Sequence, residues 1–295
     1  MPNTFTGFPP KVFLIGAQKA GTTSLAHFLD LHPDICVAQP KEPHFFTRYW
    51  DRGLDWYATC FPDRESRHVL VDASTSYTMA PLETSPPPPS GVQPLAGVPE
   101  RIHSVSPDAK FIYLLRDPVE RTRSAYWHRV RTGDEKRPFR EAIAQNDLYF
   151  RTSNYASQIA VYLECFSKDR FLFLLSESLS RDPAATLETC FRFIGVAPVE
   201  IEQKQMQGRK NQSYQYSRLG RLLPRLAGST RAFEKLAKRA KKVISPTLHP
   251  LMKSLLTTKI PPLSDADRRY LCDHFQPLKG ELQDMTGLSL DDWQI

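Results

Sequence analysis

No Cys-x-x-C occurs in the 295 residues, and the five cysteines (Cys36, Cys60, Cys165, Cys190, Cys272) are scattered and odd in number. That argues against a disulfide framework and against a zinc site, so no metal is expected and a reducing compartment suits the chain. No apolar run approaches the roughly 18 residues that a membrane span needs. The start, Met1-Pro-Asn-Thr-Phe5, lacks the basic region and long apolar core of a secretory signal. A soluble, cytoplasmic protein is therefore expected. Internal repeats are absent as well, and so is the Gly-Lys-Thr or Gly-Lys-Ser that closes a nucleoside-triphosphate P-loop.

What the chain does have is enough apolar content, 41%, to bury a full core as one large α/β domain covering residues 1–295, or as one domain plus an extension. Its formal charge of +7 is unevenly placed: residues 218–259 hold eleven Lys and Arg against the single acid Glu234, a net of +10 that leaves −3 elsewhere. Leu222, Leu223 and Leu226, then Phe233, Leu236, Ala237 and Ala240, leave basic residues on the opposing face, the pattern of a basic amphipathic helix. Such a helix can pack with a solvated outer face or make peripheral contact with an anionic membrane or polymer. Without a recognisable reader motif or interleaved aromatics, nucleic acid is not expected as a partner.

The most informative stretch is Lys11-Val-Phe-Leu-Ile-Gly-Ala-Gln-Lys-Ala-Gly-Thr-Thr-Ser-Leu25. Val12–Ile15 reads as a strand buried on both faces. A glycine loop follows, and from Thr22 the spacing of Leu25, Phe28 and Leu29 is helical. Strand, loop and helix N-terminus together hold a phosphate through free backbone N–H groups and the helix dipole. Lys19 adds a charge, and Thr22, Thr23 and Ser24 add hydroxyls. The lysine stands two residues before the second glycine, which argues against an ATPase, a GTPase or a P-loop kinase. The string resembles the 5′-phosphosulfate loop of sulfotransferases that use 3′-phosphoadenosine 5′-phosphosulfate (PAPS, leaving PAP). The resemblance implies Lys19, Ala20, Gly21, Thr22, Thr23 and Ser24 as donor-binding residues.

Two further segments extend the resemblance. Lys41-Glu-Pro-His-Phe-Phe46 places Glu42 on a proline-stiffened loop, a suitable setting for a general base. It is similar to the segment of heparan sulfate 3-O-sulfotransferases and related bacterial enzymes that carries their catalytic glutamate, which implies that role for Glu42. His44 is the alternative base or an acceptor contact. In Lys110–Tyr126, Arg116 stands at a strand's C-terminal end, Asp117-Pro118 suits a helix start, and Ser124 lies about two turns in. This Arg-Asp-Pro…Ser-x-Tyr string resembles the family's 3′-phosphate signature, implying Arg116 and Ser124 as the clamp. Tyr155 is a ligand contact by the same analogy, and Arg209 and Lys210 stand where the family has a basic loop over the cofactor. Ala73 differs from the lysine of the heparan sulfate enzymes and separates this chain from them on the acceptor side.

Further strands are expected at Ile35–Ala38, Val69–Ala73 and Arg170–Leu175, and helices at 99–107, 139–149, 153–166, 182–193 and once more near the C-terminus. Seven prolines between Pro81 and Pro99 read as an inserted loop, either a lid or disordered. The resemblance implies one α/β domain with a central parallel sheet flanked by helices, the P-loop-like sulfotransferase fold. It also implies sulfonyl transfer from PAPS to a hydroxyl or amine of a glycan, a glycolipid or a small molecule. A P-loop kinase or NTPase, and a non-catalytic nucleotide-binding module, are the alternatives from other classes.

Overall fold

The computed structural model describes residues 8–81, 95–206, 214–217 and 255–295. Most of the proline-rich insertion, both Arg209 and Lys210, and the basic segment up to residue 254 lie outside the described residues. Within them, five strands form one all-parallel sheet: β1 (Val12–Gly16), β2 (Ile35–Val37), β3 (Val69–Asp72), β4 (Lys110–Leu115) and β5 (Phe171–Leu175). Their order is β2-β3-β1-β4-β5. β1 and β4 are central, and apart from half-buried Lys110 their residues are buried, which is why they read as unbroken apolar runs rather than as alternation. Phe13 stacks on Phe111 across the two strands at 5.8 Å.

The chain runs from β1 outward to one edge and returns to β4 for the other, so the topology switches direction between β1 and β4. Open α/β sheets bind ligands beyond the carboxyl ends of the strands at such a point. Two expected segments stand there: the loop after β1 and Arg116 after β4. The helix Thr22–Asp30 starts from Gly21, whose φ of 106° is left-handed and suits glycine. The helix Pro118–Thr132 is capped by Asp117, whose side chain accepts from the amides of Val119 (2.8 Å) and Glu120 (3.1 Å). The second carboxylate oxygen of Asp117 accepts from Gln294 N–H at 2.9 Å, pinning the C-terminal tail beneath the same corner.

Several expectations needed correction. Residues 139–149 are not one helix but two, Phe139–Gln145 and Leu148–Arg151. Between them Asn146 is extended, and its side chain accepts from Leu148 N–H at 3.2 Å, a local bond that competes with helix propagation. The C-terminal helix is likewise divided into Asp265–Phe275 and Lys279–Thr286. Ser176–Arg181 forms a helix that periodicity did not signal. At the end of the basic segment, Thr257–Lys259 is a strand (β7) paired antiparallel with β6 (Tyr214–Tyr216), not helix. No helix among the described residues is long and apolar enough to cross a membrane.

Gly16, the last residue of β1, is the position where a side chain is least tolerable. A Cβ there would lie 2.3 Å from Thr78 Oγ1 and 3.0 Å from a ring carbon of Tyr113. Thr78 is itself tied down, donating to Ile15 C=O at 2.9 Å. Gly16→Ala should therefore lower the unfolding free energy by about 1–3 kcal/mol, the range for forcing atoms into a packed site. The urea midpoint reads this, and Thr78→Ala in the same chain should recover part of the loss. An unchanged midpoint in the single variant would mean that Thr78 moves aside at no cost.

Candidate active site

Lys19 occupies the tip of the loop with a left-handed φ of 75°. Its carbonyl accepts from Arg116 Nη1 at 2.9 Å, so the two expected donor-site cations are tied together across β1 and β4. Gly21, Thr22 and Thr23 stand at the N-terminal end of their helix, where helix geometry offers first-turn amides no acceptor. Ser24 N–H turns back to Gly21 C=O at 2.9 Å. Burial, followed by the charges of Arg131, Arg116 and Arg121, pushes the Lys19 pKa down from 10.5 to about 8, with Glu42 opposing. Such an excess of positive charge suits a polyanionic ligand.

Arg116 lies only loosely against Glu120, at 4.0 Å, because that carboxylate is closer to Arg123 (2.6 Å) and Arg268 (3.3 Å). Tyr155 is buried, and its hydroxyl donates to Arg116 C=O at 2.8 Å. Its described polar contact is thus to the strand end that presents the arginine. Ser124 is buried on the helix Pro118–Thr132. His128 and Arg131 follow it at helical spacing on the same face, and both interact electrostatically with Lys19.

Sequence reading missed His128, Arg121 and Arg131. Burial, then Lys19 and Arg131, lower the His128 pKa to about 4, so its imidazole is neutral at pH 7; Nδ1 lies 2.8 Å from Arg131 Nη2. Arg121, 1% exposed, bonds to neutral groups: Ser153 Oγ (2.5 Å), Tyr149 C=O (2.7 Å) and Thr122 Oγ1 (3.3 Å). Burial lowers its pKa to about 10. The usable signal was spacing, since the residues four and seven beyond Ser124 share its helix face.

Glu42 sits over the same loop. Lys41 Nζ lies 3.2 Å from Glu42 Oε1 and donates to Thr22 Oγ1 at 3.4 Å, bridging the glutamate to the helix N-terminus. Thr75 Oγ1 donates to Glu42 Oε2 at 2.9 Å, and His44 Nε2 lies 3.6 Å from the same oxygen. Burial raises the Glu42 pKa, but Lys41, His44 and Thr75 together outweigh it and leave it lowered. The carboxylate is therefore ionised at neutral pH and about a third exposed, at 31%. Burial lowers the His44 pKa against the pull of Glu42, which leaves that ring neutral at pH 7.

Asp72, fully buried at the end of β3, accepts from Ser74 (2.6 Å), Tyr57 (2.7 Å) and Tyr77 (2.7 Å). Burial raises its pKa to about 6 against those three bonds. Ala73 beside it is also buried and sends no charge toward the site. No group of His, Cys, Asp and Glu that could hold a metal occurs among the described residues.

A family model described as "Sulfotransferase domain" matches residues 9–240. This chain belongs to the sulfotransferase domain family. It is 31% identical over 202 residues to heparan sulfate glucosamine 3-O-sulfotransferase 6 of Mus musculus, covering 66% of this chain and 54% of that one. It is also 31% identical over 211 residues to the human bifunctional heparan sulfate N-deacetylase/N-sulfotransferase 3, over 64% of this chain and 22% of that one. The chain thus spans about half the length of the first of these relatives. Among solved structures, a sulfotransferase from Alicyclobacillus acidocaldarius has the same fold, with a TM-score of 0.65 at 22% identity, over 97% of this chain and 99% of that one.

The lowered Lys19 pKa sets a pH dependence. Its folded value of about 8 lies below the ordinary 10.5, so between these limits the native state binds fewer protons than the unfolded chain. The cost of holding Lys19 charged is fully present below about pH 8 and fades as pH rises toward 10.5. Lys19→Met should therefore melt higher than the parent at neutral pH, with the gap closing in alkali. Added inorganic sulfate should raise the melting temperature of the parent more than that of the variant, and less so above about pH 8. A parent and variant whose melting curves run parallel across this window would refute the assignment.

Proposed function

We propose that this chain moves a sulfonyl group from PAPS to a hydroxyl or amine of a glycan, glycolipid or small-molecule acceptor, with Glu42 as the general base. The observation that carries this reading is the Lys41 bridge, which brings the only acid described on that loop to the edge of the phosphate-type loop. PAPS, when bound, supplies a sulfonyl group activated by a phosphate leaving group. Amides of Gly21 to Thr23, the Ser24 hydroxyl and the charge of Lys19 would hold the 5′-phosphate end, and Arg116 with Ser124 the 3′-phosphate. Ala20 lies in the same loop, and the basic residues Arg209 and Lys210 are kept as donor contacts from the resemblance.

Glu42 takes the acceptor proton as the acceptor oxygen or nitrogen bonds to sulfur and the bond from sulfur to the phosphate oxygen breaks. Lys19 stabilises the charge that gathers on that departing oxygen. His44, neutral and 3.6 Å from Glu42, would be an acceptor contact. The relatives are named for heparan sulfate; here the buried Ala73 leaves the acceptor side less cationic, which suits an acceptor other than a polyanion.

Labelled sulfonate from PAPS should appear in one fraction of a cell extract. With Glu42→Gln, transfer should fall by about 100-fold or more, while PAP still raises the melting temperature. Arg116→Ala should weaken PAP binding by roughly 10- to 100-fold, the loss of a hydrogen bond to a charged group. Full transfer by Glu42→Gln would end the general-base reading, and no thermal response to PAP would end the sulfotransferase reading.

A further inference from the structure

Three consecutive hydroxyls follow β3, and each lands on the loop that carries Glu42. Ser74 Oγ accepts from the backbone N–H of His44 at 3.1 Å while donating to Asp72 at 2.6 Å. Ser76 Oγ lies 2.8 Å from His44 Nδ1 and 3.0 Å from Thr47 Oγ1. Between them Thr75, 2% exposed, gives its hydroxyl to Glu42 Oε2 at 2.9 Å. We propose that Thr75 is the positioning residue of this site, orienting the Glu42 carboxylate and keeping it ionised for the acceptor proton. The inference rests on the reading of Glu42 as general base.

A glutamate on a half-exposed loop has three side-chain torsions to fix before it can act as a base. Lys41 is a poor device for that, because its ammonium ends a flexible four-carbon stem and is shared with Thr22. Thr75 is short and β-branched, so its χ1 is stiff. Its neighbours Ser74 and, two residues on, Tyr77 are both held by hydroxyl bonds to Asp72. A carboxylate has about four lone-pair sites, so a bond from Thr75 leaves room on Oε2 and Oε1 for an acceptor O–H or N–H.

A hydrogen bond given to the ionised form also lowers proton affinity. The titratable groups facing Glu42 are Lys41 and His44 from its own loop, the latter a cation only in acid, Lys19 from the loop after β1, and Asp72 from the end of β3. Asp72 favours a protonated Glu42, the cations favour the carboxylate, and Thr75 adds to the latter.

Thr75→Val exchanges the hydroxyl for a methyl of the same shape, and Thr75→Ser restores it. The direct reading is a 13C titration of the Glu42 carboxyl resonance, identified by its loss in Glu42→Gln. The valine variant should show roughly three- to tenfold higher proton affinity than the parent, with the serine variant returning toward it. The acid limb of PAPS-dependent transfer should move to higher pH in step. Should the valine chain not fold, Thr75→Ala carries the same titration. An inactive Glu42→Gln with an unmoved valine or alanine titration overturns the role of Thr75 alone. A Glu42→Gln chain that transfers label at the parent rate overturns the base reading, and this inference with it.

Discussion

Positive charge gathered at the carboxyl ends of β1 and β4 is the constraint around which the working end of this protein is arranged. Arg131, Arg116 and Arg121 all act on Lys19 there, with Glu42 the one acid among the main influences on it. Like charges at such range repel, and burial deepens the cost. The scaffold therefore has to hold them by other means. Arg116 is anchored through its bond to the Lys19 carbonyl and by Tyr155 beneath its own carbonyl. Arg121 is fixed wholly by hydroxyls and a carbonyl. Neutral partners satisfy the donors without cancelling the charge, so the field stays directed at whatever anion enters the loop.

The opposite wall is built on a different principle. Asp72 collects three hydroxyl donors in the core, and one of these, Ser74, passes the constraint on to His44. The next two hydroxyls complete the grip on Glu42 and His44. A buried carboxylate with satisfied hydrogen bonds makes a rigid anchor, because breaking any one of them leaves an unpaired polar atom in a low-dielectric interior. Between the two walls runs the Lys41 bridge, whose length and flexibility let the glutamate approach the loop without belonging to it.

The loop after β1, Glu42 and the Arg116-Asp117-Pro118 corner were legible in the sequence because each is a local pattern: a strand that stops, a glycine or proline that forces a turn, a charge just after it. The strands were legible for the same reason, their apolar runs matching β1, β2, β3 and β5 to within a residue. Ser74, Thr75 and Ser76 gave no such signal, since hydroxyls after a strand are ordinary loop composition until the loop they touch, some thirty residues away, is seen. His128 and Arg131 were hidden similarly, because helical spacing from Ser124 says that they share a face but not what that face looks at.

Sequence alone thus determined the class of chemistry. A strand, a glycine turn, a displaced lysine and a helix start depend on immediate neighbours only, and with the two further motifs they carried the resemblance to the family that the chain belongs to. The tertiary structure decided how that site is tuned. The pKa of Lys19, the ionisation and orientation of Glu42, the neutrality of His128 and the duty of Tyr155 all depend on groups brought together by the parallel crossovers of the sheet. Electrostatic and hydrogen-bond energies follow distance in space and local burial, and neither quantity can be read from separation along the chain.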